Sequence, residues 1–187
     1  MVKKFFFFKK KYVVFIGRNI EIKNSKVIKL LFTKLSDLYP EYDFRIIGAG
    51  WKYEVIGSNF KILSRLKQNK IYEIFKKARL HVFLSFELGG SVLFEALRHG
   101  CPNFTLKNFG SKYLIGSSND FQINPNFDST NKLVENATIK ISKFLKNDNF
   151  LNKEALIQYK HSLKFSVKSK FKKINSLLLN GKYCTGK

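Results

Sequence analysis

The sequence predicts an α/β domain, in which a parallel sheet carries helices on both faces. Short apolar segments rich in β-branched and aromatic residues alternate with longer segments whose apolar residues recur at helical spacing. The chain has 187 residues, which is the length of a single domain. Parallel sheets bind their ligands outside the carboxyl ends of their strands. The fold class therefore also predicts where a binding site lies.

Six segments are predicted as strands because they are short, apolar and bounded by turn residues. Their carboxyl ends are expected to lie at one edge of the sheet, because parallel strands all run in the same direction. In chain order the predicted strands are Tyr12–Ile16, Asp43–Ile47, Phe60–Leu63, 80–84, Asn103–Leu106 and 121–123, and the residues at their carboxyl ends include Gly17, Gly48, Ser64, Glu87 and Gly110.

Helices are predicted between the strands and along the whole chain beyond Ser129, where apolar residues recur at helical spacing. Pro40 ends the first helix, and Gly100 followed by Pro102 ends the third. The apolar faces of the last helices predict local packing. The predicted helices cover Ser25–Leu38, 70–77 and 91–99, and then 133–145, 156–165 and 171–179.

The segment after the fourth predicted strand carries the most informative pattern. Glu87 falls in the loop that follows the strand, and Glu95 falls eight residues later, about one turn inside the next predicted helix. Both carboxylates would face one cleft, where they can accept hydrogen bonds from sugar hydroxyls. Taken alone, the pair is better explained as two surface glutamates of an ordinary strand–loop–helix unit.

Glycines precede the helix that carries Glu95. Gly89 and Gly90 end the loop, and Ser91 and Val92 open the helix. The first N–H groups of a helix have no partner within it and lie at the positive end of its dipole, so they bind anions, most often phosphate. These glycines and the flanking strand favour a ligand site over two surface glutamates.

This segment resembles the donor-binding half of the retaining glycosyltransferases of the GT-B fold that carry a Glu-x7-Glu motif, the glycosyltransferases of group 1 or family 4. Leu88 and Gly89 replace the family's more usual Gly-Phe. The resemblance implies a Rossmann-like sheet that forms a single GT-B half-domain, with additional C-terminal helices. The residues in register with the family pattern are Glu87, Gly90, Glu95, Ala96, Gly100 and Pro102.

The resemblance extends to the first two strands. Gly17-Arg18 follows the first strand and Lys23 lies five residues beyond Arg18, where the family places two cations against the donor diphosphate. A planar guanidinium fork and a point charge suit a bridging pyrophosphate. Asn24 takes the place of a glycine that the family often has after the lysine. Gly48-Ala49-Gly50 matches the family's Gly-x-Gly after the second strand.

The resemblance implies transfer of a sugar, with retention, from a nucleotide-diphospho-sugar to a glycan or a lipid-linked acceptor. Arg18 and Lys23 are expected to act in catalysis by holding the diphosphate and compensating charge on the leaving nucleotide. Glu87, the third catalytic residue, is expected to contact the sugar hydroxyls. Donor-binding roles are implied for Gly17, Gly48, Ser64, Gly89, Gly90, Ser91, Val92 and Glu95, the last of these at the ribose.

Neither a cofactor nor a metal ion is expected, in agreement with a family that needs no metal. The sequence contains no Asp-x-Asp pair, and its three histidines, His81, His99 and His161, lack metal-ligand spacing. Tyr113 stands where the family often has a glutamate. The two cysteines, Cys101 and Cys184, are predicted to be reduced thiols.

Three parts of the chain are predicted. Residues 1–11 form a basic and aromatic segment or linker remnant, 12–180 a nucleotide-sugar-binding domain, and 181–187 a tail. The resemblance covers only the second half of the family's enzyme, so the chain is expected to be a fragment or one subunit of a split enzyme with a separate amino-terminal half. The alternative is a truncated or degenerate module that binds a nucleotide or a partner chain without catalysis.

The formal net charge of +22, from 35 Lys and Arg against 13 Asp and Glu, attracts polyanions. The sequence contains no nucleic-acid recognition motif, so specific nucleic-acid binding is not expected. The favoured interpretation is a cytoplasmic protein with peripheral contact at the anionic inner face of a membrane. Residues 1–11 fit that contact but are too short to span a bilayer. They fit an edge strand or a linker remnant equally well.

Overall fold

A computed structural model describes residues 11–87, 90–116, 119–125, 129–165 and 176. The predictions for residues 1–10, for Gly89, for most of the last helix at 171–179 and for the tail at 181–187 lie outside the described residues. None of the helices within these ranges has the length and apolar content that a bilayer-crossing helix requires.

The centre of the fold is a seven-stranded sheet in the order β3-β4-β2-β1-β5-β6-β7. All neighbouring strands are parallel except β3 and β4, which are antiparallel. The predicted parallel sheet is therefore confirmed, with one antiparallel edge strand added. In chain order the strands are β1 Tyr12–Ile16, β2 Asp43–Ile47, β3 Glu54–Ile56, β4 Phe60–Leu63, β5 Ala78–Phe83, β6 Asn103–Leu106 and β7 Gln122–Ile123.

Six α-helices lie within the described residues. They are α1 Ser25–Leu38, α2 Gln68–Lys77, α3 Ser91–Arg98, α4 Phe109–Ile115, α5 Thr130–Leu145 and α6 Asp148–Ser162. Three short 3₁₀ turns accompany them, at Glu21–Lys23, Asn119–Phe121 and Leu163–Phe165. The helix predicted at 70–77 begins two residues earlier, and the strand predicted at 80–84 runs from Ala78 to Phe83.

The helices cover both faces of the sheet, as predicted. Val13 and Phe15 point into the larger apolar cluster, to which α1 and α5 contribute, whereas Val14 points into a smaller cluster with Ile71 and Phe75 of α2. Adjacent residues of β1 thus face opposite layers, because side chains alternate along a strand. Burial on both faces explains why these strands read as continuous apolar runs.

The chain reverses its direction across the sheet between β1 and β5. From β1 it proceeds outward to β2 and then β4, and α2 returns it to β5 on the other side of β1. A crevice forms at the carboxyl ends of the strands at such a switch point, because the two following loops leave in opposite directions. The loop after β1 carries Arg18, and the loop after β5 carries Glu87.

Candidate functional site

Two of the predicted catalytic side chains meet at the switch point. The Lys23 ammonium forms an ion pair with the Glu87 carboxylate, although the two residues lie 64 positions apart. Lys23 is only 8% exposed, and its Nζ lies 4.8 Å from the centroid of the Phe83 ring. Lysines are rarely so buried without a partner. The ion pair with Glu87 and the aromatic face together stabilise the charge.

Hydrogen bonds fix the two loops that carry this pair. The Ile22 carbonyl accepts from the Phe86 N–H at 2.9 Å and from the Ser85 hydroxyl at 3.1 Å. Asn108 donates from Nδ2 to the carbonyls of Ser85 and Glu87, at 3.2 and 3.1 Å. These contacts restrain the backbone on both sides of the ion pair, so the Glu87 carboxylate is held in place before any ligand arrives.

Asn24, which follows Lys23, occupies the position at which the family often has a glycine. Its φ of 54° and ψ of 40° are left-handed, a conformation that glycine and asparagine adopt most readily. Its side chain adds a contact that glycine cannot make, because Nδ2 donates to the Leu84 carbonyl at 2.7 Å. The substitution therefore keeps the backbone turn and ties Lys23 to the end of β5.

The amino terminus of α3 lies beside the Glu87 carboxylate. Gly90 is the N-cap residue, and no side chain among the described residues caps the first turn. A Cβ atom placed on Gly90 would lie 3.9 Å from Oε2 of Glu87. The first turn of α3, which opens with Ser91 and Val92, therefore begins beside the Lys23–Glu87 pair. Gly89 lies outside the described residues.

A cavity of about 350 Å³ lies at the carboxyl ends of β1 and β2, against α2. Two arginines, Arg18 and Arg65, line it together with Gln68. Both arginines are exposed at the surface, so their guanidinium groups can reach an anion from the rim. The other lining residues are Ile16, Gly17, Ile47, Gly48, Ala49, Leu66 and Ile71, which form an apolar floor with two glycines.

Glu95 joins this cavity indirectly. Its Oε2 accepts a hydrogen bond of 2.7 Å from Nε2 of Gln68, which lines the cavity. Ser64 follows β4 as predicted. It does not line the cavity, whereas its neighbour Arg65 does. Lys23 and Glu87 likewise belong to the neighbouring crevice and not to the lining. The predicted residues thus form two adjacent groups along one edge of the sheet.

The predicted glycines at the first two strand ends touch each other. A Cβ atom on Gly48 would lie 2.0 Å from the Gly17 carbonyl oxygen, and real Cβ atoms do not approach a backbone atom so closely. The same carbonyl accepts from the Trp51 indole at 3.0 Å. Gly17 donates its own N–H to the Ile47 carbonyl at 2.9 Å. The wall of the cavity beside Arg18 is therefore closely packed backbone.

His81 lies buried beneath the site, in the centre of β5. Burial lowers its pKa to about 4, against the opposing effect of its hydrogen bond with Asn103 and with a further lowering by the charge of Lys23. Its Nδ1 lies 2.6 Å from Oδ1 of Asn103. The imidazole is thus neutral at pH 7, and Lys23 is the cation that faces Glu87.

Metal ligands do not cluster in the described part of the chain: no group of three or more His, Cys, Asp and Glu side chains there could hold an ion.

Tyr113, in the place of the family's glutamate, lies in α4 and is 64% exposed. The sequence pattern predicts no helix at α4. Asn108 starts it, since its Oδ1 accepts from the Ser111 N–H at 2.8 Å.

The arrangement of a charged crevice, a helix amino terminus and a glycine-walled cavity agrees with a comparison of the sequence with protein families. The family model "Glycosyl transferases group 1" matches residues 2–161. The protein belongs to the glycosyl transferases group 1. No curated protein matches the sequence.

Solved structures of glycosyltransferases share the fold. The pneumococcal O-GlcNAc transferase GtfA, in complex with UDP and GlcNAc, matches with a TM-score of 0.75 and 16% identity over 92% of this chain and 36% of that chain. The catalytic domain of cholesterol-alpha-glucosyltransferase from Helicobacter pylori matches with a TM-score of 0.63 and 15% identity, over 84% of this chain and 99% of that one.

A third structure is WaaG, a glycosyltransferase involved in lipopolysaccharide biosynthesis, with a TM-score of 0.61 and 17% identity over 93% of this chain and 48% of that chain. This group 1 chain therefore spans about a third of the length of GtfA and about half that of WaaG. The likeness confirms the predicted Rossmann-like domain of the GT-B type.

Proposed function

We propose that this chain is the donor-binding domain of a retaining glycosyltransferase and that it binds a nucleotide-diphospho-sugar at the carboxyl edge of its sheet. The observation that carries the proposal is the Lys23–Glu87 ion pair at the switch point, beside the amino terminus of α3. A cation, a carboxylate and free helix N–H groups are what a sugar bound to a diphosphate requires.

The diphosphate would lie between Arg18, Lys23 and the first turn of α3. A lysine ammonium has three N–H donors, so Lys23 can keep its bond to Glu87 and still donate to phosphate oxygens. Arg18 is exposed and its guanidinium can bind in bidentate geometry. The backbone N–H groups of Gly90 and Ser91 complete the anion site. Together these groups would stabilise the charge that develops on the leaving nucleotide.

The nucleoside and the sugar would occupy opposite sides of the diphosphate. Gln68 lines the cavity proposed for the nucleoside, and Glu95, which bonds to Gln68, would accept from the ribose hydroxyls beside it. The apolar floor at Leu66 and Ile71 suits the flat face of a base. Glu87 lies at the other side and would accept from the sugar hydroxyls.

Transfer with retention would follow from attack of the acceptor on the face that the nucleotide leaves, without a protein nucleophile, cofactor or metal ion. The sugar would be transferred to a glycan or to a lipid-linked acceptor. Among the structural neighbours, WaaG is involved in lipopolysaccharide biosynthesis. The protein would be cytoplasmic, and its formal net charge of +22 would favour peripheral contact with the anionic inner face of a membrane.

A partner domain would complete the cleft. Ile20, Ile22 and Phe86 are 38%, 47% and 52% exposed and flank Lys23 and Glu87, and the Phe86 N–H donates to the Ile22 carbonyl, so the two loops of the site expose apolar side chains beside it. GtfA and WaaG are two to three times the length of the region that this chain matches in them. We propose that an amino-terminal acceptor half covers this patch and that the donor domain comprises residues 12–180.

A second candidate, a non-catalytic nucleotide-binding module, is favoured by the exposed Tyr113 in place of the family's glutamate. Its donor site would be intact, but sugar transfer would be absent even after the amino-terminal half is supplied. Activity of the reconstituted pair therefore separates the two candidates.

The binding proposal is tested by thermal unfolding of the full chain with nucleoside diphosphates. A ligand at a hundred times its dissociation constant stabilises the folded state by about 2.7 kcal/mol. The shift should survive EDTA and fall in Arg18→Ala, whereas Arg98→Ala, which removes an exposed arginine at the end of α3, should leave it unchanged. A shift that needs a metal ion, or that Arg18→Ala leaves intact, would show that the diphosphate site is wrong.

A further inference from the structure

Helices α2 and α3 are joined by two side-chain contacts that lie one helical turn apart. Gln68 of α2 donates from Nε2 to Oε2 of Glu95 in α3 at 2.7 Å. Four residues further along each helix, the Tyr72 ring stacks on the His99 ring, with centroids 4.6 Å apart and planes 17° from parallel. Residues i and i+4 lie on the same face of a helix, so the two contacts join a single face of α2 to a single face of α3.

We propose that Gln68 is the residue that positions Glu95 for a ribose, and that the Tyr72–His99 stack sets the spacing of α2 and α3 that lets the two side chains meet. This inference rests on the proposed function, because it takes the ligand of Glu95 to be the ribose of a nucleotide. The family pattern does not contain Gln68, and no local pattern in the sequence points to it.

Geometry supports a positioning role. A glutamate on a helix surface samples several rotamers, and ordering it at the moment of binding weakens affinity. The hydrogen bond to Gln68 occupies one carboxylate oxygen of Glu95 and leaves the other for a ligand. Because Gln68 also lines the cavity with Arg18 and Arg65, the ordered carboxylate is held next to the space that the nucleoside would fill.

The second contact restrains the helices themselves. His99 is the C-cap residue of α3, and its Nδ1 lies 2.7 Å from the Glu95 carbonyl oxygen. The imidazole is thus fixed to the same turn of α3 that carries Glu95. Stacking on Tyr72 then ties this turn to α2. Loss of the aromatic ring would free the two helices to separate and would lengthen the Gln68–Glu95 hydrogen bond.

The choice of an amide at position 68 is specific. Glutamine is a neutral donor of similar shape to both leucine and glutamate, so two substitutions separate the contributions. Gln68→Leu removes the donor and keeps the volume. Gln68→Glu places a second carboxylate against Glu95, where like charges repel and both side chains turn away. Asn69 provides a matched control, since it is an exposed amide on the same helical turn that bonds to the Lys70 N–H at 2.8 Å.

Calorimetry on the full chain with a nucleoside diphosphate and with inorganic pyrophosphate tests the inference. Gln68→Leu should weaken the nucleoside diphosphate by about five- to tenfold, the ordering cost of one side chain, and should leave pyrophosphate binding and the Tm unchanged. Gln68→Glu should weaken it further, and Asn69→Leu should have no effect. Tyr72→Leu should also weaken the nucleoside diphosphate, whereas Tyr72→Phe, which keeps the stack, should not.

Coupling to Glu95 provides the sharpest check. In a Glu95→Ala background, Gln68→Leu should cause no further loss, because no acceptor remains at position 95 for Gln68 to position. Equal weakening of pyrophosphate and nucleoside diphosphate, or additive effects of Gln68→Leu and Glu95→Ala, would overturn the positioning role. Failure of the unaltered chain to bind either ligand would instead overturn the proposed function on which the inference rests.

Discussion

Acidification should destabilise this protein in a pH range set by one buried histidine. His81 has a pKa of about 4 in the folded state, whereas an unfolded histidine has its ordinary value of 6.5. Between these values the unfolded state binds a proton that the folded state does not, so stability falls as the pH falls from about 6.5 toward 4. The linkage relation gives a loss of about 2 kcal/mol between pH 7 and pH 5.

The assay is urea unfolding at a series of pH values, with the free energy of unfolding extrapolated at each. The His81→Gln variant keeps a polar partner for Asn103 and removes the titrating group, so its stability should be nearly flat over the same range. His161→Gln is the control, because His161 is partly exposed and bonds through Nε2 to the Tyr113 carbonyl. A slope in His81→Gln as steep as in the unaltered protein would refute the role of this histidine.

Two further predictions concern the backbone and the domain boundary. Gly48→Ala should destabilise the fold by more than about 2 kcal/mol in urea unfolding, because its Cβ would collide with the Gly17 carbonyl. The control Gly57→Ala should cost only about 1 kcal/mol, since the φ of Gly57 is +67° but no atom lies within 4 Å of the added Cβ. Equal costs of the two substitutions would contradict the close approach of Gly48 to Gly17. The full chain alone should hydrolyse a nucleotide sugar slowly at most and should transfer no sugar to an acceptor in a radiolabel assay, and robust transfer by monomeric protein would show that the acceptor site lies within these residues.

The sequence predicted those helices and strands at which several local signals occur together, such as apolar periodicity and a turn or proline at the end. Ser25–Leu38 has helical periodicity and a closing proline, and β2 is bounded by turn residues, so both were predicted with the bounds that the structure shows. β3 was missed because three residues with Val55 half exposed carry no local signal, and its antiparallel pairing with β4 stabilises it. α4 was missed because it contains Gly110 and depends on the Asn108 cap.

The candidate site was predictable where residue type and strand end coincide. Arg18, Lys23 and Glu87 follow β1 and β5, so fold class and family pattern were enough to bring them to one edge. The ion pair itself could not be predicted, since it depends on how two loops 64 residues apart are tied together. Arg65 and Gln68 were missed for a related reason. Arg65 precedes α2 and Gln68 opens it, and only the folded chain gives them a role, because both line the cavity at the ends of β1 and β2 and Gln68 also bonds to Glu95 of α3.

The central claim is that Glu87 binds the sugar and Glu95 the ribose of one nucleotide-diphospho-sugar. Calorimetry with a nucleoside diphosphate and its nucleotide sugar on two variants tests it directly. Glu95→Gln should weaken both ligands, and Glu87→Gln should weaken only the nucleotide sugar, each by about 1.5–3 kcal/mol, the range for a hydrogen bond to a charged group. Glu87→Gln should not weaken the free diphosphate, because Lys23 then loses a competing carboxylate. Equal loss of both ligands in Glu87→Gln, or no loss in either variant, would contradict the account.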